Sequence, residues 1–249
     1  SPTAQAMADT LKAAGDKGWI FLGDLVHSHP QAALIRSLAQ AVAAATGASW
    51  GESAPGNSVG AWLTGFVPHR GVNGAAAGKA GLNVQQQFKE YRKGYVLLNC
   101  EPEWDSADGA LATSAMLAAE AVVAITSFAS DSLRRYAKVM LPAAAVAESG
   151  GTFHNIEGRA ARFGEAAKAP GDARPVWKIL HVLAQKLGVD GLTHRNLVEV
   201  QAELDAVLAP AAKVDSKAFT PSAPAAPSAD LWRIGDVPMF ATDMLVRRS

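Results

Sequence analysis

The sequence predicts an α/β fold: a mainly parallel open sheet with helices on both faces, a Gly-rich insertion and an extended C-terminal tail. Three observations carry that expectation. Short apolar runs of strand length recur at Trp19–Val26, Tyr95–Asn99, Ala121–Ile125 and Val139–Leu141. They are nearly continuous rather than alternating, the pattern of strands covered on both sides. Helix-like stretches separate them, which favours parallel βαβ units.

In chain order, Ala4–Ala14 has helical composition and ends at the turn residues Gly15-Asp16-Lys17-Gly18. Trp19–Val26 is the first expected strand. Between Gln31 and Thr46, apolar residues at Leu34, Leu38, Val42 and Ala45 follow helical spacing, and Gly47 supplies the stop. From 49 to 81 the pattern dissolves into glycine and small polar residues, so an irregular excursion is expected, with a short strand at Ala61–Phe66. Asn83–Lys93 reads as a short helix. Tyr95–Asn99, an Ala/Leu/Met-rich helix over Asp108–Glu120, Ala121–Ile125, a short helix over Asp131–Tyr136 and Val139–Leu141 complete about four strands. Pro175 is placed at a first helical position, ahead of an apolar stripe at Val176, Ile179, Leu180, Leu183 and Leu187. A second helix covers Asn196–Leu208. Three regions are therefore expected: an α/β domain over 1–210, a Pro/Ala/Ser linker over 211–230, and a docking tail over 231–249 anchored by Trp232, Ile234, Val237, Phe240 and Met244.

Bulk properties narrow the function classes. Apolar residues make up 49% of the 249, enough for a sizeable core. The 23 basic residues balance 23 acidic ones, and no basic stripe marks a nucleic-acid surface. Cys100 is the sole cysteine, which excludes an intramolecular disulfide and a cysteine-only cluster or zinc site. No apolar run approaches the roughly 20 residues of a spanning helix. The chain begins at Ser1 without a charged-then-apolar signal pattern, and it reads as a fragment or a processed chain.

The stretch Val139–Phe163, VMLPAAAVAESGGTFHNIEGRAARF, organises the rest. An apolar strand closed by Pro142 leads into a compact polar loop carrying Glu148, a Ser149-Gly150-Gly151 turn, and a second turn at Glu157-Gly158-Arg159. Open α/β sheets gather ligand-facing groups at such strand ends. The words Leu141-Pro142, Glu148, Gly151-Thr152 and Asn155-x-Glu157-Gly158-Arg159 resemble the molybdopterin oxidoreductase superfamily. Further words narrow the resemblance to the C-terminal part of the G chain of bacterial NADH-quinone oxidoreductase, respiratory complex I. They are Asn57–Trp62, Pro68–Gly71, Glu101-Pro102-Glu103, Arg174–Lys178 and Val246-Arg247-Arg248. Lys138 stands where that family usually has an acid, and Gly150 where it usually has serine. Both departures sit in the loop that would face a cofactor.

The resemblance implies a scaffold or assembly role in the peripheral arm of a complex that passes electrons from NADH through iron–sulfur clusters to quinone. It implies no cofactor in this chain, clusters elsewhere in the parent subunit, and no bound molybdopterin. The alternative is a fragment of a true molybdenum- or tungsten-dependent oxidoreductase. The implied partners are other peripheral-arm subunits and the iron–sulfur part of the same subunit. Neither nucleic acid nor direct membrane insertion is implied. The implied location is the cytoplasmic face of the bacterial inner membrane.

Six polar residues are placed at strand ends, in a vestigial cofactor cleft: Asn99, Glu101, Glu148, Thr152, Asn155 and Arg159. They could contact a molybdopterin, bridge the loops to one another, or lie solvated. Bridging is the preferred reading, with Glu148 or Glu157 paired to Arg159. His27-x-His29 has metal-like spacing but no third ligand nearby, so turn and cap hydrogen bonding is the preferred reading over a metal. His154 beside Asn155 reads as structural. Cys100 follows a buried strand without a patterned base, and core packing outweighs nucleophilic use. Neither G-x-G-x-x-G after a strand nor a P-loop is present.

Overall fold

The computed structural model describes residues 1–27, 29–53, 56–208 and 243–248. The expected linker lies outside them, as does the expected tail apart from 243–248. The described residues form two compact units.

In the unit built from 1–59 and 154–159, α1 (Pro2–Ala14) starts with the Ser1 hydroxyl accepting from the Ala4 N–H and with proline in the first turn. Strand β1 (Trp19–Leu22) pairs in parallel with β2 (Ser49–Glu52), Trp19 opposite Ser49 and Leu22 opposite Glu52. Helix α2 (Ala32–Thr46) connects them and ends at Gly47, whose φ of 78° gives the left-handed stop. Helix α2 packs on both strands and on α1. The expected strand over Trp19–Val26 is thus shorter, because Asp24–Val26 turns as a 3-10 helix. Burial on both faces also fails: Trp19 and Phe21 are 63% and 57% exposed, since a two-stranded sheet has cover on one side within this unit. Strand β2 falls in the stretch expected to be irregular. A four-residue strand containing Gly51 has too little periodicity to stand out from its neighbours.

The other unit comprises 60–153, 160–208 and 243–248 among the described residues. Its sheet is β3 (Gly94–Leu98), β4 (Ala121–Thr126) and β5 (Val139–Pro142), all parallel and in sequential order. The expected four-strand sheet is therefore three strands here, with β1 paired to β2 elsewhere. Helices α5 (Pro102–Asp105) and α6 (Gly109–Ala118) link β3 to β4, and α7 (Asp131–Tyr136) links β4 to β5. The Asp108 and Ser130 side chains accept from the Leu111 and Leu133 N–H groups and start α6 and α7. Register explains the core: Ala124 lies opposite Leu97 and Val122 opposite Tyr95, so one face of the sheet presents them together. Met116 of α6 and Leu133 and Tyr136 of α7 pack on that face. Burying these apolar side chains stabilises the unit by about 1.5–3 kcal/mol for each large one.

The strand expected at Ala61–Phe66 is instead α3 (Ser58–Leu63). Its Gly60 and Ala61 carry little β preference, and helical backbone bonds such as Thr64 N–H to Gly60 C=O satisfy the chain. The expected helix at Asn83–Lys93 is α4 (Val84–Lys89), closed at its start by a reciprocal Asn83–Gln86 capping box. Strands β6 (Gly151–His154) and β7 (Ala160–Phe163) pair across the turn at 155–159. Helices α8 (Val176–Lys186) and α9 (Leu197–Leu208) follow, with Pro175 capping α8 rather than opening it.

Candidate functional site

A dense polar cluster stands where β3 and β4 end. Asn99 directly follows β3 with φ 43°, a left-handed conformation that asparagine tolerates better than most residues. This swings its Oδ1 to accept from both the backbone N–H (2.9 Å) and the hydroxyl (3.1 Å) of Ser127, just past β4. The two strand ends are bridged by one side chain.

Glu101 is fully buried, 0% exposed. Its backbone N–H donates to Asp105 Oδ2 at 2.7 Å, and its carbonyl accepts from the Trp104 and Asp105 N–H groups, which winds α5 around it. Arg248 Nη2 donates to its Oε1, and Arg247 Nη1 lies 3.4 Å from its Oε2. Arg247 also reaches Asp105, its guanidinium stands 5.3 Å from the Trp104 ring centre, and that of Arg248 stands 5.2 Å from the Phe128 ring centre. A buried carboxylate needs such partners. Burial pushes the Glu101 carboxyl up, but hydrogen bonds from Arg248 and Ser130 and the charges of both arginines outweigh it. Its pKa ends below the ordinary carboxylate value, so the group is ionised at neutral pH.

Around it, Glu103 Oε2 accepts from the Tyr136 hydroxyl at 2.8 Å, tying α5 to α7. Burial, then Glu103, raises the Tyr136 pKa, so the phenol stays protonated. Burial, followed by the Asp105, Glu103 and Glu101 carboxylates, pushes the Cys100 thiol up to about 12. A thiol in that setting is protonated and a poor nucleophile at neutral pH.

The other expected site residues have different partners. Glu148 closes its own turn by accepting from the Ala145 N–H at 2.9 Å. Thr152 Oγ1 accepts from Gln201 Nε2, which also donates to the Gly151 carbonyl, both at 3.3 Å. In the other unit, Asn155 Oδ1 accepts from the Glu157 and Arg159 N–H groups, and Arg159 Nε lies 3.0 Å from Glu157 Oε2. Of the two pairings considered for Arg159, the structure forms the one with Glu157. Both side chains are mostly exposed, so that pair is worth little.

His27 and His29 use their rings separately. Arg36 Nη2 stands 2.9 Å from His27 Nδ1, and His27 Nε2 is 2.6 Å from the Ser53 carbonyl. His29 Nδ1 accepts from the Gln31 N–H. His154 is buried, and its N–H donates to Asn57 Oδ1. Among the described residues no group of three or more His, Cys, Asp or Glu side chains could hold a metal ion. No helix among them is long and apolar enough to cross a membrane.

The arginines of this cluster are the residues that sequence reasoning missed as site residues. Val246-Arg247-Arg248 stood out only as one of the words carrying the family resemblance, and nothing local points to a carboxylate 147 positions away. Asp105, Ser127 and Ser130 carry no sequence pattern that marks them as partners of this cluster.

Comparison with known proteins decides the family. The molybdopterin oxidoreductase family profile matches residues 3–186, most of the chain. The chain belongs to the molybdopterin oxidoreductase family. Its parallel strands flanked by helices agree with that membership. Among relatives, the F420-dependent formate dehydrogenase 2 subunit alpha of Methanococcus maripaludis is 43% identical over 75 residues, 30% of this chain and 11% of that subunit. Putative formate dehydrogenases of Staphylococcus haemolyticus and Staphylococcus aureus are 44% and 47% identical over 55 residues, 22% of this chain and 6% of each relative. The matched stretch thus spans about a tenth or less of each relative's length.

Proposed function

We propose that this chain works as part of the large subunit of a molybdopterin-family oxidoreductase, and that its own contribution is to frame the cofactor region rather than to carry redox chemistry. Membership of the family supports the first half, and the similarity to formate dehydrogenases favours a molybdenum- or tungsten-dependent parent. The occupied strand ends support the second half. Glu101 is fully buried with its carboxylate directed to Arg248 and Arg247, and Asn99 turns its acceptor oxygen to Ser127, which favours bridging of the strand ends over contact with a dinucleotide cofactor. Cys100 is the one cysteine of the chain, and one thiolate does not make the four-cysteine ligand set of an iron–sulfur cluster.

A second reading is the peripheral-arm scaffold of NADH-quinone oxidoreductase. The same sealed strand ends favour it, together with Lys138 and Gly150 in the adjoining loop. Metal analysis of the complex purified from its own cells separates the two. Stoichiometric molybdenum or tungsten with formate oxidation supports the first parent. NADH-driven quinone reduction without either metal supports the second. Under both, the isolated 249-residue chain is expected to be colourless and to bind no iron; a visible chromophore retained by it would overturn the framing role.

A further inference from the structure

Glu101 is surrounded in a way that selects one kind of cation. Its two oxygens face two separate guanidinium groups, and each guanidinium also lies over an aromatic ring, Trp104 for Arg247 and Phe128 for Arg248. A planar, weakly hydrated, multidentate cation suits a buried carboxylate between ring faces. A compact ammonium, which holds its water more tightly, does not.

The segment that supplies these groups is short, with Met244 and Val246 half-buried. It is a single turn, held internally by Asp243 Oδ1 accepting from the Leu245 and Val246 N–H groups and by Arg248 Nη1 donating to the Met244 carbonyl. Leu245 is 49% exposed, whereas the Arg247 and Arg248 side chains are 12% and 26% exposed. The ion pairs that tie the turn to Glu101 and Asp105 come from its arginine heads.

We propose that Glu101, Trp104 and Phe128 form a guanidinium-binding site at the end of β3, and that Asp243–Arg248 is a detachable latch filling it in cis. With the latch withdrawn, the site takes another guanidinium, such as the arginine of a peptide. The inference concerns this chain's own residues, so it stands or falls independently of which parent complex carries them.

Chemical rescue in the full chain tests it. Arg248→Ala is expected to raise amide exchange at least tenfold in both Glu101–Ser106 and Asp243–Arg248. Ethylguanidinium should restore protection of Glu101–Ser106, and ethylammonium at equal concentration should not. Arg248→Lys should behave like Arg248→Ala, because it keeps the charge but loses the fork. Unchanged exchange in Arg248→Ala, or equal rescue by the two cations, would overturn the proposal. If Arg248→Ala loses its near-ultraviolet dichroism, the double variant Glu101→Gln, Arg248→Ala decides. Recovery of the fold supports the pairing, and failure to recover counts against it.

Discussion

Asn99 Oδ1 accepts two hydrogen bonds from Ser127, at 2.9 Å from its N–H and 3.1 Å from its hydroxyl, and so holds the ends of β3 and β4 together. Two consequences follow from the φ of 43° that makes this possible. Asn99→Ala loses both bonds and places an alanine in the left-handed region, so it should destabilise by about 1–3 kcal/mol. Asn99→Gly loses the bonds but not the conformation, and should cost less. Urea unfolding of both variants checks this; equal losses would remove the role assigned to backbone conformation.

Gly109 opens α6, and a Cβ there would stand 2.2 Å from the Glu103 carbonyl oxygen. Alanine ordinarily favours a helix by about 1 kcal/mol over glycine. The obstructing atom is backbone at a tight α5–α6 junction, so overpacking of about 1–3 kcal/mol should win. Gly109→Ala is therefore expected to lower the thermal midpoint, and a raised midpoint would refute the close approach.

Gly158 has φ 78° and open space around its missing Cβ. Gly158→Val should cost about 1–3 kcal/mol through backbone strain alone, with Gly158→Asn milder. Calorimetry of the pair checks the ranking, and an equal effect would point to packing instead.

Acid should loosen the cluster at Glu101. Its folded-state pKa lies below the ordinary value of 4.5, so its contribution is complete above that value and is lost as pH falls through the lower folded value. Below pH 4.5 the wild type should lose stability more steeply than Glu101→Gln. Parallel acid unfolding curves for the two proteins would show that Glu101 does not carry the dependence.

Cys100 should resist alkylation. With its thiol pushed up to about 12, the thiolate fraction at pH 8 falls on the order of 10³-fold below that of a free cysteine. Reaction with iodoacetamide in the folded protein should be slower by at least ~100-fold than in urea. Comparable rates would mean the thiol is neither buried nor surrounded by carboxylates as described.

The sequence by itself determined the α/β class, the positions of β3, β4 and β5, and most helix boundaries. Those features are written locally: an unbroken apolar run such as Ala121–Ile125, a capping Asp108 or Ser130, a left-handed Gly47. It did not reveal β2, since Ser49–Glu52 becomes a strand only because β1 lies beside it. The same limit applies to α3, whose small residues suit either state until their neighbours are in place. In the candidate site, Asn99 and Glu101 were legible as strand-end polar residues. Their partners were a matter of tertiary structure. A buried carboxylate must be neutralised, and the charges that do so at Glu101 come from Arg247 and Arg248, brought there by folding rather than by sequence spacing.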